Sequence, residues 1–117
     1  MPTVLDRPRA GRDRASYATA ADLLRALAHP ARLQIAIELG GGDRCVHELV
    51  ELLDLPQPAV SQHLTVMRAA RLVSGRRIGR EVRYTLTDHH VGHIAGDAVN
   101  HAGETSTPPT DPGRTTP

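Results

Sequence analysis

The fold is decided by residues 46–73, which read VHELVELLDLPQPAVSQHLTVMRAARLV. Apolar residues recur at three- and four-residue spacing on both sides of a turn at Asp54-Leu55-Pro56, which is the pattern of two amphipathic helices. We expect the first helix over 46–53 and the second over 57–71. The inner face of the second helix would be formed by Val60, Leu64, Met67 and Ala70. Two short helices joined by a tight turn predict a helix-turn-helix unit.

A β-hairpin is expected directly after this unit. Two β-type runs occupy residues 72–74 and 82–86, and the second alternates apolar and polar residues as a half-buried strand does. The segment between them carries Arg76-Arg77-Ile78 with a glycine on either side, which predicts a hairpin with a basic tip. A hairpin behind a helix-turn-helix is a wing, so we expect a winged helix-turn-helix fold, mainly α with a small β-hairpin.

Further helices are predicted on both sides of the winged unit. A helical pattern over 18–28 ends at His29-Pro30, because the residue before a proline disfavours the α conformation. Pro30 suits the first turn of a second helix, which three consecutive glycines at 40–42 end. The last helix is expected over 88–104.

Length and composition limit the possible classes of protein. The chain has 117 residues, enough for one small domain, and it contains no Phe or Trp. So small an aliphatic core predicts a dimer that shares core between its subunits. Charge interrupts every apolar run, so neither a transmembrane helix nor a secretion signal is expected. The single cysteine, Cys45, excludes an internal disulfide and suits a reducing compartment, which predicts a cytoplasmic protein.

Charge is segregated along the chain although the formal net charge is only +1. Residues 57–84 hold six arginines and one acid, whereas the rest of the chain holds eight arginines and twelve acids. A local excess of arginine is what neutralisation of DNA phosphates requires, although a basic hairpin can also be merely solvated. We expect double-stranded DNA to be contacted by Gln57, Ser61, Gln62, His63, Arg68, Arg76, Arg77 and Arg80.

Three stretches of the chain resemble a known family. ALAHPARLQIAIEL, then CVHELVELLDLPQPAVSQHLTVMRAARLV, then GREVRYTL are similar to the ArsR/SmtB family of bacterial metal-responsive repressors, over about residues 20–104. The resemblance implies that QPAVSQHLTVMRAARLV includes the recognition helix. It also implies a homodimer with its first and last helices at the interface and a winged helix at either end. We therefore expect a flexible arm over 1–16, a DNA-binding and dimerisation domain over 17–104, and a disordered tail over 105–117.

The last helix, DHHVGHIAGDAVNHAGE, carries four of the seven histidines and a possible metal site. His90, His101 and Glu104 fall in one stripe at 100° per residue, and Asp88 can turn towards His90 as the N-cap. His90 and His101 are about 16 Å apart along the helix axis, too far for both to bind one ion. Two antiparallel copies of the helix could instead pair Asp88 and His90 of one chain with the other two ligands from its partner.

The resemblance supports this arrangement, because the same four positions match the C-terminal-helix zinc site of the SmtB-type sensors. It implies two symmetric inter-subunit zinc sites per dimer, with Co²⁺ a possible surrogate. The physiological metal among Zn, Co and Ni is left open, as are the roles of His89, His93 and Asp97.

A second metal position is considered at Cys45-Val46-His47, where some members of the family carry soft-metal ligands. Residues 1–28 contain no Cys or His to complete it, and two ligands are too few for a stable site. Cys45 is therefore expected to be structural.

The function that follows is a zinc-responsive repressor whose apo homodimer binds operator DNA and is released by zinc. The direction of this response is implied by the resemblance alone. One alternative is a winged-helix regulator without a metal effector. Another is a small zinc hydrolase, which is disfavoured because four protein ligands leave no open position for water. No enzyme activity and no small organic substrate are expected.

Overall fold

The computed structural model describes residues 13–106 of the chain. This part forms five helices and three short strands. In chain order they are α1 Arg14–Leu27, α2 Pro30–Gly40, β1 Arg44–Cys45, α3 Val46–Leu53, α4 Gln57–Ala69, β2 Val73–Ile78, β3 Glu81–Leu86 and α5 His89–Ser106. The expected mainly helical fold with a β-hairpin after a helix-turn-helix is confirmed.

Helices α1 and α5 are both longer than the sequence pattern predicts. The carboxylate of Asp13 accepts a hydrogen bond from the backbone N–H of Ser16 at 2.9 Å and caps α1, so the helix begins at Arg14. The predicted flexible arm over 1–16 is therefore wrong for residues 14–16. Helix α5 continues to Ser106, into the predicted tail over 105–117, because the first proline stands only at position 108. Residues 1–12 and 107–117 lie outside the described residues.

The helix-turn-helix unit follows its prediction closely. Helix α3 has the expected bounds, and Asp54 ends it in the left-handed conformation with φ of 56°. Helix α4 begins at Gln57 as expected but ends at Ala69, two residues early. The reason is the backbone of Arg71, whose φ of 63° a right-handed helix cannot accommodate.

The wing is a longer hairpin than expected, and a third strand joins it. The antiparallel sheet has the order β1-β3-β2, and sequence patterning did not predict the two-residue β1. Ile78 pairs with Glu81, so the turn consists of Gly79 and Arg80 alone. Gly79 has φ of 65°, which a glycine adopts at little cost in a tight hairpin turn. The predicted tip at Arg76-Arg77-Ile78 is wrong, because these residues belong to β2.

The core joins the helix-turn-helix to the last helix. Fully buried side chains come from α2, α3, α4 and the start of the wing, and the largest are Ile35, Leu49, Leu64, Met67, Leu72, Val60 and Val73. Helix α5 packs mainly against α2 and contributes Val91 and Ala95 to the same core. The position of α5 is thus linked to the helix-turn-helix through shared apolar packing. Across residues 13–106, no helix is both long and apolar enough to cross a membrane.

Candidate nucleic-acid interface and metal centre

Helix α4 presents a polar face on the side opposite to its core contacts. Val60, Leu64 and Met67 are at most 1% exposed and fix the rotation of the helix. Gln57 and Gln62 are consequently exposed, and Ser61 is half-buried. Amide side chains of this kind can donate to and accept from base edges in the major groove.

His63 differs from the other candidates on α4, because its side chain faces the protein. It is half-buried, and its Nδ1 lies 3.3 Å from Nη1 of Arg32. Its ring also contacts that of His29, with ring centroids 4.4 Å apart. Burial, followed by the influence of His29 and Arg32, lowers the pKa of His63 below the ordinary histidine value. The sequence placed His63 on the outward face, whereas the structure places it between α4 and the start of α2.

Four arginines provide positive charge on and around the wing. Arg76 and Arg77 lie on β2, Arg80 lies in the turn, and Arg68 lies in the last turn of α4. All four are exposed, and no ion pair described between residues 13 and 106 involves any of them. Their charges are therefore available to phosphates without first breaking an internal ion pair.

Arg83 belongs to the same basic segment of sequence but is neutralised within the fold. Its Nη2 donates to Oδ1 of Asp43 and to Oε1 of Glu48, each at 3.2 Å, and its Nη1 lies 3.5 Å from Glu81. The hydrogen bond to Asp43 raises the pKa of Arg83, and the backbone N–H of Cys45 lowers that of Glu48. This group anchors β3 to the start of α3. The local charge excess read from the sequence therefore overstates the free charge of the wing.

The first pair of predicted metal ligands lies at the start of α5. Oδ1 of Asp88 accepts the backbone N–H of His90 at 2.8 Å and lies 3.1 Å from Nδ1 of the same histidine. The backbone hydrogen bond lowers the pKa of Asp88. Both side chains are more than half exposed, at 56% for Asp88 and 73% for His90. The expected capping geometry thus brings a carboxylate and an imidazole together on the surface.

The second predicted pair lies near the other end of α5. Nδ1 of His101 is 3.9 Å from Oε1 of Glu104, and both side chains are 77% exposed. Within residues 13–106 of a single chain, no three His, Cys, Asp or Glu side chains are grouped closely enough to hold a metal ion. The structure therefore brings the four predicted ligands together as two separate pairs and does not unite them within one chain.

Two further histidines of α5 lie beside the first pair, and the ring centroids of His89 and His90 are 4.3 Å apart. His89 and His93 line a groove of about 470 Å³ between α2 and α5, with their ring centroids 5.3 Å apart. Cys45 is buried as the N-cap of α3, whereas His47 is exposed. This placement of Cys45 agrees with its expected structural role.

Comparison with known proteins gives the family. Residues 29–74 match the family described as "Bacterial regulatory protein, arsR family". The "HTH-type transcriptional repressor SmtB" of Mycobacterium tuberculosis is 59% identical over 85 residues, which are 73% of this chain and 63% of that protein. The chain thus spans less than two thirds of that repressor. The "HTH-type transcriptional regulator NmtR" of the same organism is 40% identical over 97 residues, covering 83% of this chain and 81% of the relative.

A solved structure agrees with the fold. The solution structure of Mb0332 from Mycobacterium bovis, described as a homodimeric winged helix-turn-helix DNA-binding domain, superposes with a TM-score of 0.72. It is 25% identical to this chain and covers 87% of this chain and 97% of its own. Both relatives from Mycobacterium tuberculosis are named as regulators of transcription, which gives the hydrolase alternative no support. By sequence and by fold, the chain belongs to the ArsR/SmtB family of bacterial regulatory proteins.

Proposed function

We propose that this chain is a zinc-responsive transcriptional repressor whose homodimer binds operator DNA without metal and leaves it on binding zinc. The observation that carries the proposal is the pair of exposed His–carboxylate couples at the two ends of α5. The relative named a repressor, SmtB, supports the general activity. The cytoplasmic location expected from the sequence stays a prediction.

DNA binding is supported by two kinds of exposed side chain, amides and arginines, in the reading unit. We use this name for α3, α4 and the wing together. Gln57 and Gln62 on α4 are exposed and suited to base edges, with Ser61 beside them. The exposed arginines of the wing and of the end of α4 suit the phosphates on either side of the major groove. A homodimer would place two such units on a two-fold operator.

Dimerisation through α1 and α5 is supported by apolar side chains exposed on both helices. Tyr17 and Leu24 of α1 are 63% and 49% exposed, and Ile94 and Val99 of α5 are 39% and 44% exposed. Burial of such side chains against a second copy contributes about 25 cal/mol per Å² of apolar surface removed from water. The structure of Mb0332, which is described as homodimeric, supports the same assembly here.

The metal site is proposed to form only between subunits. His90 and His101 are eleven residues apart, about 16 Å along the helix at ~1.5 Å per residue, so one chain cannot bring them to one ion. An antiparallel partner helix would set Asp88 and His90 of one chain against His101 and Glu104 of the other. Two imidazoles and two carboxylates suit tetrahedral Zn²⁺. Two such sites would arise from the two-fold axis.

Zinc binding would release DNA if the bound metal held the two α5 helices in an arrangement in which the two reading units no longer fit the operator. The core offers a route, because Val91 and Ala95 of α5 pack in the same cluster as Leu64 of α4. Thermodynamic linkage then requires that operator DNA weaken zinc binding by the same factor as zinc weakens DNA binding.

Complementation between two variants tests this proposal. His90→Ala and His101→Ala each remove one ligand from both sites, so neither homodimer should bind zinc at the site or release DNA. A purified heterodimer of the two has one site without either histidine and one site with all four ligands. Calorimetry should therefore recover one zinc per mixed dimer. His47→Ala removes an exposed histidine from α3 and serves as the control that keeps two zinc ions.

DNA release is read on a duplex that the apo protein selects from a random-sequence pool, with a chelator as control. If the mixed dimer recovers no zinc, the inter-subunit site is wrong. If the apo protein binds DNA and zinc leaves that binding unchanged, the chain is a winged-helix regulator without a metal effector.

A further inference from the structure

Three residues from two separate segments of the chain form a polar cluster on the protein-facing side of the recognition helix. His29 lies between α1 and α2, Arg32 lies on α2, and His63 lies on α4. None of them belongs to the wing or to the proposed metal site. The cluster connects the end of α1 and the start of α2 to α4, the helix that carries the exposed glutamines.

His29 serves the cluster as the N-cap of α2. Its backbone is extended, with φ of −155° and ψ of 135°, and its Nδ1 accepts the backbone N–H of Ala31 at 3.0 Å. An imidazole nitrogen that accepts a hydrogen bond carries no proton of its own. Protonation of Nδ1 would therefore remove this cap and place a positive charge at the positive end of the helix dipole.

Arg32 connects three elements. Its Nε donates to the carbonyl oxygen of Ala26 near the end of α1 at 2.6 Å, and its Nη1 lies 3.3 Å from Nδ1 of His63. A guanidinium can only donate hydrogen bonds, so Nδ1 of His63 must be the acceptor and must be unprotonated. This hydrogen bond between α2 and α4 exists only for neutral His63.

No described carboxylate offsets positive charge in the cluster. Three effects lower the pKa of His63: first its own burial, then the influence of His29 and of Arg32. The ring of His29 contacts that of His63 with centroids 4.4 Å apart and a tilt of 48° between the ring planes. A proton on His63 would thus break the contact with Arg32 and create repulsion across the junction of α2 and α4.

We propose that His29, Arg32 and His63 form a proton-sensitive latch that holds the recognition helix in its DNA-binding position while the imidazole of His63 is neutral. His63 is then a positioning residue rather than a DNA contact. The part of this inference that concerns DNA rests on the proposed function, whereas the latch itself can be tested without DNA. Its consequence is a loss of operator affinity on acidification that is independent of any metal.

The first measurement is an NMR titration of the histidine side chains of the full chain in chelator. We expect His63 to titrate below the reference histidine value of about 6.5. Because the folded pKa of His63 is lowered, the stability that the neutral side chain contributes is complete above the unfolded value of about 6.5 and is lost as the pH falls from there through the lowered folded pKa. Thermal melts of the wild type should therefore show a decline over this window that is reduced in His63→Asn.

The second measurement is the affinity for the selected duplex between pH 7.5 and 5.5, again in chelator. Asn keeps an acceptor atom at the same number of bonds from Cα as Nδ1 and does not titrate, so His63→Asn should retain binding at pH 7.5. Acidification should weaken the wild type relative to His63→Asn, by up to about tenfold per pH unit for each proton that binding must expel. His47→Asn, a change of an exposed histidine on α3, should follow the wild type.

Each result decides the matter. A pKa of His63 at or above about 6.5 overturns the latch even if every variant fails to fold. Overlapping pH profiles of the wild type and His63→Asn also overturn it. Tighter binding on acidification that His63→Asn abolishes would make His63 a phosphate contact instead. If DNA is bound at no pH, the proposed function fails, while the NMR titration and the melts still decide whether the latch exists.

Discussion

Replacement of a single wing arginine should change how strongly DNA binding depends on salt. Arg80 lies in the two-residue turn of the wing, is exposed, and takes part in none of the ion pairs described within residues 13–106. Removal of one phosphate-neutralising charge lowers the magnitude of the slope of log affinity against log salt by about 0.9. A dimer with two wings on the duplex should therefore show a slope smaller by about 1.8 in Arg80→Ala. Between 50 and 200 mM salt, the affinity ratio of wild type to variant should shrink on the order of tenfold.

Arg83→Ala is the matched control, because it removes the same charge three residues away. Arg83 is held by Asp43, Glu48 and Glu81, so it has no free charge to release counterions from DNA. We expect its slope to stay close to that of the wild type, while the melting temperature falls because β3 loses its anchor to α3. Fluorescence anisotropy on a labelled duplex in chelator measures both slopes. An unchanged slope in Arg80→Ala, or an equal reduction in Arg83→Ala, would refute the distinction between free and neutralised arginines.

Two further outcomes are expected. Zinc affinity should fall as the pH is lowered from 8 to 5, because imidazole ligands must lose their protons to bind a metal. Calorimetry in buffers of different ionisation enthalpy would detect the released protons. A zinc affinity that stays constant over this range would contradict ligation by His90 and His101. Leu64→Ala should lower the free energy of unfolding by about 2–5 kcal/mol, since Leu64 is 1% exposed and its truncation leaves a cavity in the core. Urea unfolding of apo protein checks this value, and Val66→Ala, which truncates a side chain that is 38% exposed on the same helix, should cost clearly less.

Local sequence determined the helix-turn-helix, because the signals for it lie within a few residues of each other. Apolar spacing defines α3 and the inner face of α4, and Pro30 and the three glycines bound α2. The two His–carboxylate couples of α5 were also predictable, since residues two or three positions apart around a helix start or along a helix come close. Helix ends were less predictable, as the left-handed backbone of Arg71 shows.

Only the tertiary structure decided which charges and which histidines are available to a partner. Arg83 is only three residues from Arg80 in sequence, but its neutralising partners Asp43 and Glu48 are 40 and 35 residues away. His63 shares α4 with the exposed glutamines, yet Arg32, 31 residues earlier, meets it from behind. Local patterns fix which face of an element is apolar, whereas the pairing of polar groups depends on how separate elements pack. The sequence by itself therefore determined the helix-turn-helix and the two His–carboxylate couples, and the packing of α2 and β3 decided which polar side chains remain free.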